Sequence, residues 1–181
     1  MLRDQSRKTL RSAIRQSTGA DKPAKFNFIC THNSRRSQMA QIWMAVAAAC
    51  NGEENLKAYS GGTEATALHP NVVTALKEIG FRIERKGDNN PHYSVYFSER
   101  HPPIVCWSKV YDDAHNPTDS FIAIMVCAEA DVGCPIIPSA RKRIPLRYKD
   151  PKYADGTSDE SLTYDRTARE IGEEIFSLFQ E

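Results

Sequence analysis

Apolar positions along this chain fall into short, strand-like runs separated by longer stretches with a period of three to four residues. Residues 25–29 alternate and are largely apolar, which predicts a first strand. Between residues 36 and 50, Met39, Trp43, Val46, Ala47 and Cys50 recur on one helical face, and Asn51 with Gly52 ends the helix. Residues 57–60 predict a short second strand closed by Gly61 and Gly62. Pro70 in the first turn, an apolar face of Val72, Leu76 and Ile79, and Gly80 as a stop predict the next helix. Residues 82–104 are polar and Pro-containing and show no clear period. Residues 103–107 fit either a strand or a loop, and residues 112–119 carry turn chemistry. The most apolar run, residues 121–127, has the length and composition of a buried central strand, and a weaker strand is predicted at residues 143–146. Residues 159–179 predict a long closing helix that turns Leu162, Ala168, Ile171, Ile175 and Leu178 or Phe179 inward. This alternation predicts a single α/β domain with a four-stranded parallel sheet flanked by helices.

Composition narrows the picture. With 181 residues and 40% hydrophobic content the chain is long enough for one sizeable core. No apolar run approaches the roughly 18 residues of a membrane-spanning helix, and no short repeat supports a collagen or coiled-coil class. The net charge of +1 gives no reason to expect a nucleic-acid partner. The charge is unevenly spread: residues 1–25 hold seven Lys or Arg against two Asp. Residues 1–24 are predicted to form a basic helical extension lying on the domain of residues 25–181. A targeting segment is the alternative, against which Asp4 and the sparse apolar residues count. The five cysteines, Cys30, Cys50, Cys106, Cys127 and Cys134, are odd in number and scattered, and no secretory h-region is present. These features predict a reducing, cytoplasmic setting without structural disulfides. No cysteine pair has zinc-ligand spacing, so neither a metal nor another cofactor is expected. Cys50 and Cys106 read as core.

Ligands of such folds bind where strand ends meet helix starts, which points to residues 30–37. Cys30 sits at that junction, where a helix N-terminus favours the reactive thiolate. A loop through Thr31, His32, Asn33, Ser34 and Arg35 can converge its N–H groups into a nest for a tetrahedral oxyanion, and Arg36 can close it with a planar fork. Ser37 can donate to the Cys30 sulfur, and Asn33 is a residue type that tolerates a left-handed turn. With 14 Arg and 14 Ser in the chain, a Cys-x5-Arg-Ser arrangement arises by chance at a frequency of about 0.03, so the spacing is informative.

This loop resembles the signature of the low-molecular-weight protein tyrosine phosphatases and of the thioredoxin-coupled arsenate reductases built on the same fold. Residues 37–40 with Trp43, residues 59–64, and His69, Pro70 and Asn71 are similar to the arsenate reductase branch in particular. The resemblance covers about residues 25–180 and is poor over residues 82–119. It implies a nucleophilic Cys30, an oxyanion-binding Arg36, and a general acid at Asp150, which is followed by Pro151 as the families place it. It also implies a relay in which Cys127 attacks Cys30 and Cys134 then takes over Cys127, with thioredoxin as reductant. The plainer reading makes Cys127 and Cys134 structural. If residues 127–134 are helical, their ends lie about 10.5 Å apart at 1.5 Å per residue, so bridging requires unwinding. His32 stands where these families usually carry Gly, and Arg35 where a second cysteine is common. Gln41 replaces a glutamate that helps a potassium ion in some reductases, so that ion is not expected. Lys152 precedes Tyr153 where the phosphatases place an aromatic residue directly after the proline. Arsenate reduction is the leading expectation and phosphomonoester hydrolysis, phosphotyrosine included, the alternative. A non-catalytic oxyanion-binding module is the reading from another class. His69, His92, His101 and His115 have no carboxylate at a matching spacing and read as surface or packing residues.

Overall fold

The computed structural model describes residues 2–17, 22–133 and 136–180. Strand β1 (Ala24–Cys30) is followed by α2 (Arg36–Cys50), β2 (Leu56–Gly62) and α3 (Pro70–Ile79), after a first helix α1 (Leu2–Ser17). Three short strands follow, β3 (Arg82–Lys86), β4 (His92–Tyr96) and β5 (Ile104–Cys106). The chain then forms β6 (Phe121–Met125), α4 (Ala128–Gly133), β7 (Ala140–Pro145), a 3-10 turn (Pro151–Ala154) and α5 (Glu160–Ser177).

The main sheet has the order β2-β1-β6-β7, with every neighbouring pair parallel. Its two central strands are buried along most of their length, which is why β1 and β6 read as apolar runs. Gly80, at φ 120°, stops α3 in the left-handed conformation that glycine adopts without strain. Helix α5 lies across α2 and α3, where Trp43 meets Phe81 and Phe176 edge to face at centroid distances of 5.2 and 6.0 Å. Helix α1 buries Leu10 and Ile14 and packs against β7. Its arginines reach the far end of the chain: Arg3 Nε donates to Glu174 at 2.9 Å, and Arg11 donates to the Ser177 carbonyl at 2.9 Å. No described helix is long and apolar enough to cross a membrane.

The aperiodic stretch after α3 folds into a second, antiparallel sheet of order β3-β4-β5. Strand β3 escapes a pattern reading because Arg82, Glu84, Arg85 and Lys86 are exposed and only Ile83 turns inward. Two inward assignments need correction. Cys50, in the last turn of α2, is exposed, and Leu162 is 48% exposed at the start of α5, where Thr163, Tyr164 and Thr167 take the buried positions instead. Cys106 is fully buried as expected.

The two sheets meet through residues 108–111. Gly61 lies so close to this segment that an added Cβ would stand 2.3 Å from the Tyr111 Cα. Lys109 is 4% exposed, with its ammonium 4.3 Å from the centre of the Trp107 ring. Burial lowers its pKa from 10.5 to about 8.

Two outcomes follow for stability. Gly61→Ala sets side chain against backbone, which no rotamer change relieves, and is expected to lower stability by about 1–3 kcal/mol in urea unfolding. For Lys109 the folded pKa lies below the unfolded one, so stability rises as pH climbs from about 8 toward 10.5. Lys109→Met is therefore expected to raise the thermal midpoint at pH 7, with the advantage shrinking by pH 10.

Candidate active site

Strand β1 ends at Cys30, α2 begins at Arg36, and the loop between them lies at the carboxyl edge of the main sheet. The loop turns at Asn33, whose φ of 47° is left-handed. Neighbouring groups bind its carbonyls from outside. Thr63 N–H reaches the Cys30 oxygen at 3.1 Å, Glu64 N–H the Thr31 oxygen at 2.8 Å, and His69 N–H the Ser34 oxygen at 3.0 Å. The Ser108 hydroxyl donates to the His32 oxygen at 2.9 Å, and Gln38 Nε2 to the Asn33 oxygen at 3.0 Å. In a trans peptide the N–H points opposite to the C=O, so these bonds turn the loop's N–H groups inward. That is the geometry of an anion nest.

Glycine at position 62 makes this close approach sterically feasible. A Cβ there would stand 2.5 Å from the Thr31 oxygen and 2.8 Å from the Asn33 nitrogen.

Behind the loop, the Asn33 amide is fixed at both ends. Its Oδ1 accepts from Lys109 N–H at 2.9 Å and its Nδ2 donates to Ser37 Oγ at 2.8 Å. The Ser37 hydroxyl, 3.0 Å from Cys30 Sγ, is thereby left to give its proton to the sulfur. Asn33 and Ser37 are both fully buried and act from behind the loop.

Cys30, Arg36 and Asp150 share a cavity of about 220 Å³, with Thr31, His32 and Ser34 on its wall. Arg36 is buried. Its Nη1 donates to the Tyr148 carbonyl at 3.0 Å, and its Nη2 is paired with Asp150 Oδ2. The other Asp150 oxygen accepts from Lys152 N–H at 3.1 Å and so caps the 3-10 turn. A sulfur, a ring of N–H donors, a guanidinium and a carboxyl thus face one small volume. Such a set suits attack on a tetrahedral oxyanion with protonation of the departing oxygen.

Arg35 also borders the cavity, but two of its guanidinium nitrogens are engaged elsewhere: Nε by the Tyr164 hydroxyl at 2.7 Å and Nη2 by Asp155 at 3.0 Å. Among the described residues no phenylalanine, tyrosine or tryptophan lines the cavity. Tyr153 is 60% exposed, with its ring 3.7 Å from Lys149 Nζ.

Cys127 stands just past the end of β6, the strand beside β1. Its buried sulfur lies 3.6 Å from Thr31 Oγ1 and accepts from Ala130 N–H, in the first turn of α4, at 3.3 Å. Burial raises the Cys127 thiol above its ordinary pKa. Cys134 lies outside the described residues. Gln41, in the place of the potassium-associated glutamate, accepts from the Ser60 hydroxyl at 2.5 Å.

Several residues here escaped sequence reasoning. Ser108 and Asn90, which bond each other, brace the loop from within residues 82–119, the stretch over which the family resemblance is poor. Asp155 and Tyr164 are distant in sequence from residue 35. Glu129 reaches the cavity from α4. The histidines are surface or packing residues as expected, although two of them stand near a carboxylate: His69, stacked on Tyr164, has Nε2 4.0 Å from Asp155, and the exposed His115 has Nδ1 2.8 Å from Asp113.

Known proteins place this arrangement. The profile of the low molecular weight phosphotyrosine protein phosphatases matches residues 25–92. The arsenate reductase of Bacillus subtilis is 34% identical over 150 residues, spanning 82% of this chain and 89% of that protein. Among solved structures, the arsenate reductase of Archaeoglobus fulgidus superposes with a TM-score of 0.57 at 23% identity, over 86% of this chain and 99% of that one. A low-molecular-weight phosphotyrosine phosphatase from Vibrio cholerae gives 0.56 at 19% identity, over 86% and 93%. Shared sequence across four-fifths of the chain, on a shared fold, makes this protein an enzyme of the family that unites the low-molecular-weight phosphotyrosine phosphatases with the arsenate reductases related to them.

Proposed function

We propose that the enzyme is a thiol-dependent arsenate reductase, and the observation that carries this reading is the Cys127 sulfur held against the oxyanion loop at Thr31. Arsenate enters the nest and takes the Arg36 fork. The Cys30 thiolate attacks arsenic, and Asp150 protonates the oxygen that leaves as water. The Cys127 thiolate then attacks Cys30 Sγ. The sulfur–arsenic bond breaks, its electron pair passes to arsenic, and arsenite leaves a Cys30–Cys127 disulfide. Cys134 attacks Cys127, restores the Cys30 thiolate and leaves a Cys127–Cys134 disulfide, which a dithiol such as thioredoxin reduces.

The N-terminus of α4 supports the second step, because a backbone N–H aimed at Cys127 Sγ favours the thiolate against the burial that opposes it. Where α4 unwinds for the third step, Asp131, which the helix carries against Arg143 and Arg147, is released.

Hydrolysis of phosphomonoesters through a phosphocysteine on Cys30 is the second reading, favoured by the profile match over residues 25–92. Asp150 then serves first as acid and afterwards as base for water. That no phenylalanine, tyrosine or tryptophan among the described residues lines the cavity argues for small oxyanions over phosphotyrosine. A bound phosphate and Asp150 compete for Arg36 in either case.

Cys127→Ser is expected to abolish arsenate-dependent oxidation of thioredoxin, followed through NADPH and thioredoxin reductase, while p-nitrophenyl phosphate hydrolysis persists. Reduction undiminished in that variant would refute the relay. Because burial raises the Cys127 thiol, wild-type reduction should also climb with pH above neutrality more steeply than hydrolysis does. Asp150→Ala removes the internal competitor for Arg36. It is expected to tighten inorganic phosphate binding by about threefold to tenfold in calorimetry, and to slow hydrolysis of an ester with a poor leaving group, such as phenyl phosphate, by about a hundredfold or more.

A further inference from the structure

Two consecutive arginines hold the two ends of one short turn. Arg36 takes Asp150, immediately before the 3-10 turn, and Arg35 takes Asp155, immediately after it. The Arg35 contact is a closed ring of three groups. Arg35 Nε donates to the Tyr164 hydroxyl at 2.7 Å, Tyr164 donates to Asp155 Oδ1 at 2.8 Å, and Arg35 Nη2 donates to Asp155 Oδ2 at 3.0 Å. Tyr164 is fully buried in α5, and His69 stacks on it with centroids 5.2 Å apart. His69 in turn donates its backbone N–H to Ser34, next to Arg35 in the oxyanion loop. Burial pushes the Tyr164 phenol up to about 12, so it remains a hydroxyl that accepts from Arg35 while donating to Asp155.

The two tethers respond differently to substrate. An oxyanion that takes the Arg36 fork displaces Asp150, and the turn loses its contact at that end. The Asp155 end involves neither Arg36 nor the anion and persists. A planar guanidinium presents Nε to the phenol and Nη2 to the carboxylate in a fixed fork, a geometry that the single ammonium of lysine does not reproduce and that cysteine cannot offer.

We propose that Arg35 is a positioning residue for the proton donor: through Asp155 and Tyr164 it keeps the turn that carries Asp150 in register with the oxyanion loop once Arg36 has been given over to substrate. This inference rests on the reading of Asp150 as general acid. Without the anchor, Asp150 is present but misplaced, and the loss falls on reactions whose leaving group needs a proton.

The test is the hydrolysis of p-nitrophenyl phosphate, whose leaving group departs readily as an anion, beside phenyl phosphate, whose leaving group does not. Wild type is compared with Arg35→Met, Arg35→Lys and Asp155→Asn, each alone and combined with Asp150→Asn. The expectation for Arg35→Met and Asp155→Asn is a fall of about thirtyfold or more in kcat on phenyl phosphate and of less than about threefold on p-nitrophenyl phosphate. Arg35→Lys should behave like Arg35→Met, and no Arg35 or Asp155 substitution should cost anything further in the Asp150→Asn background. Asp155→Asn breaks the same ring from its other side, so the result does not hang on one variant's folding. Equal losses on both substrates, a raised KM as from a lost direct contact, or additivity with Asp150→Asn would each overturn the anchor. If Asp150→Asn itself slows both esters equally, the acid assignment fails first and the anchor falls with it.

Discussion

Peptide carbonyls of the oxyanion loop that bond outward are the constraint from which the rest of the site follows. The N–H groups can face a common centre only because five successive carbonyls from Cys30 to Ser34 find donors elsewhere, in the turn after β2, in α2, at His69 and at Ser108. Those donors come from four separate parts of the chain, so the nest is a property of the assembled fold. The left-handed Asn33 allows the reversal, and its amide links the loop to Lys109 on one side and to the hydroxyl beside the nucleophile on the other. Gly62 then permits β2 to press against the loop it supports.

The second sheet gains its meaning from the same constraint. Its strands make no contribution to the cavity wall, yet the segment that leaves β5 supplies Ser108, with Asn90 holding Ser108 in place. Lys109 is buried in this junction at an energetic cost that its contact with Trp107 only partly offsets. The second sheet and the segment after it thus brace the loop from behind while leaving the mouth of the cavity to the main sheet, the 3-10 turn and α4.

Much of this was legible in the sequence because it is local. Cys30, Arg36 and Ser37 fall within eight consecutive residues, and their spacing alone carries the nest, the fork and the hydroxyl. The four parallel strands were legible because central strands buried on both faces must be apolar throughout. The second sheet was not, since β3 exposes four charged side chains and rests on a single inward Ile83. For Arg35 the sequence suggests only a backbone N–H in the nest, and gives its side chain no role. Its partners, Asp155 and Tyr164, lie 120 and 129 residues away, and no spacing announces them. Leu162 misled for a different reason: its period fits the apolar face of α5, but the helix begins so near it that no neighbour remains to cover it.

Helix α1 has a mechanical consequence. Because Arg3, Arg7 and Arg11 grip Glu174 and Ser177, side chains of the first helix tie it to the C-terminal part of the last. Tension applied across α1 and α5 would load that seam of arginines. The seam also reaches toward the chemistry, since Arg3 donates to the Arg147 carbonyl and lies over the ring of Tyr148, whose own carbonyl holds Arg36.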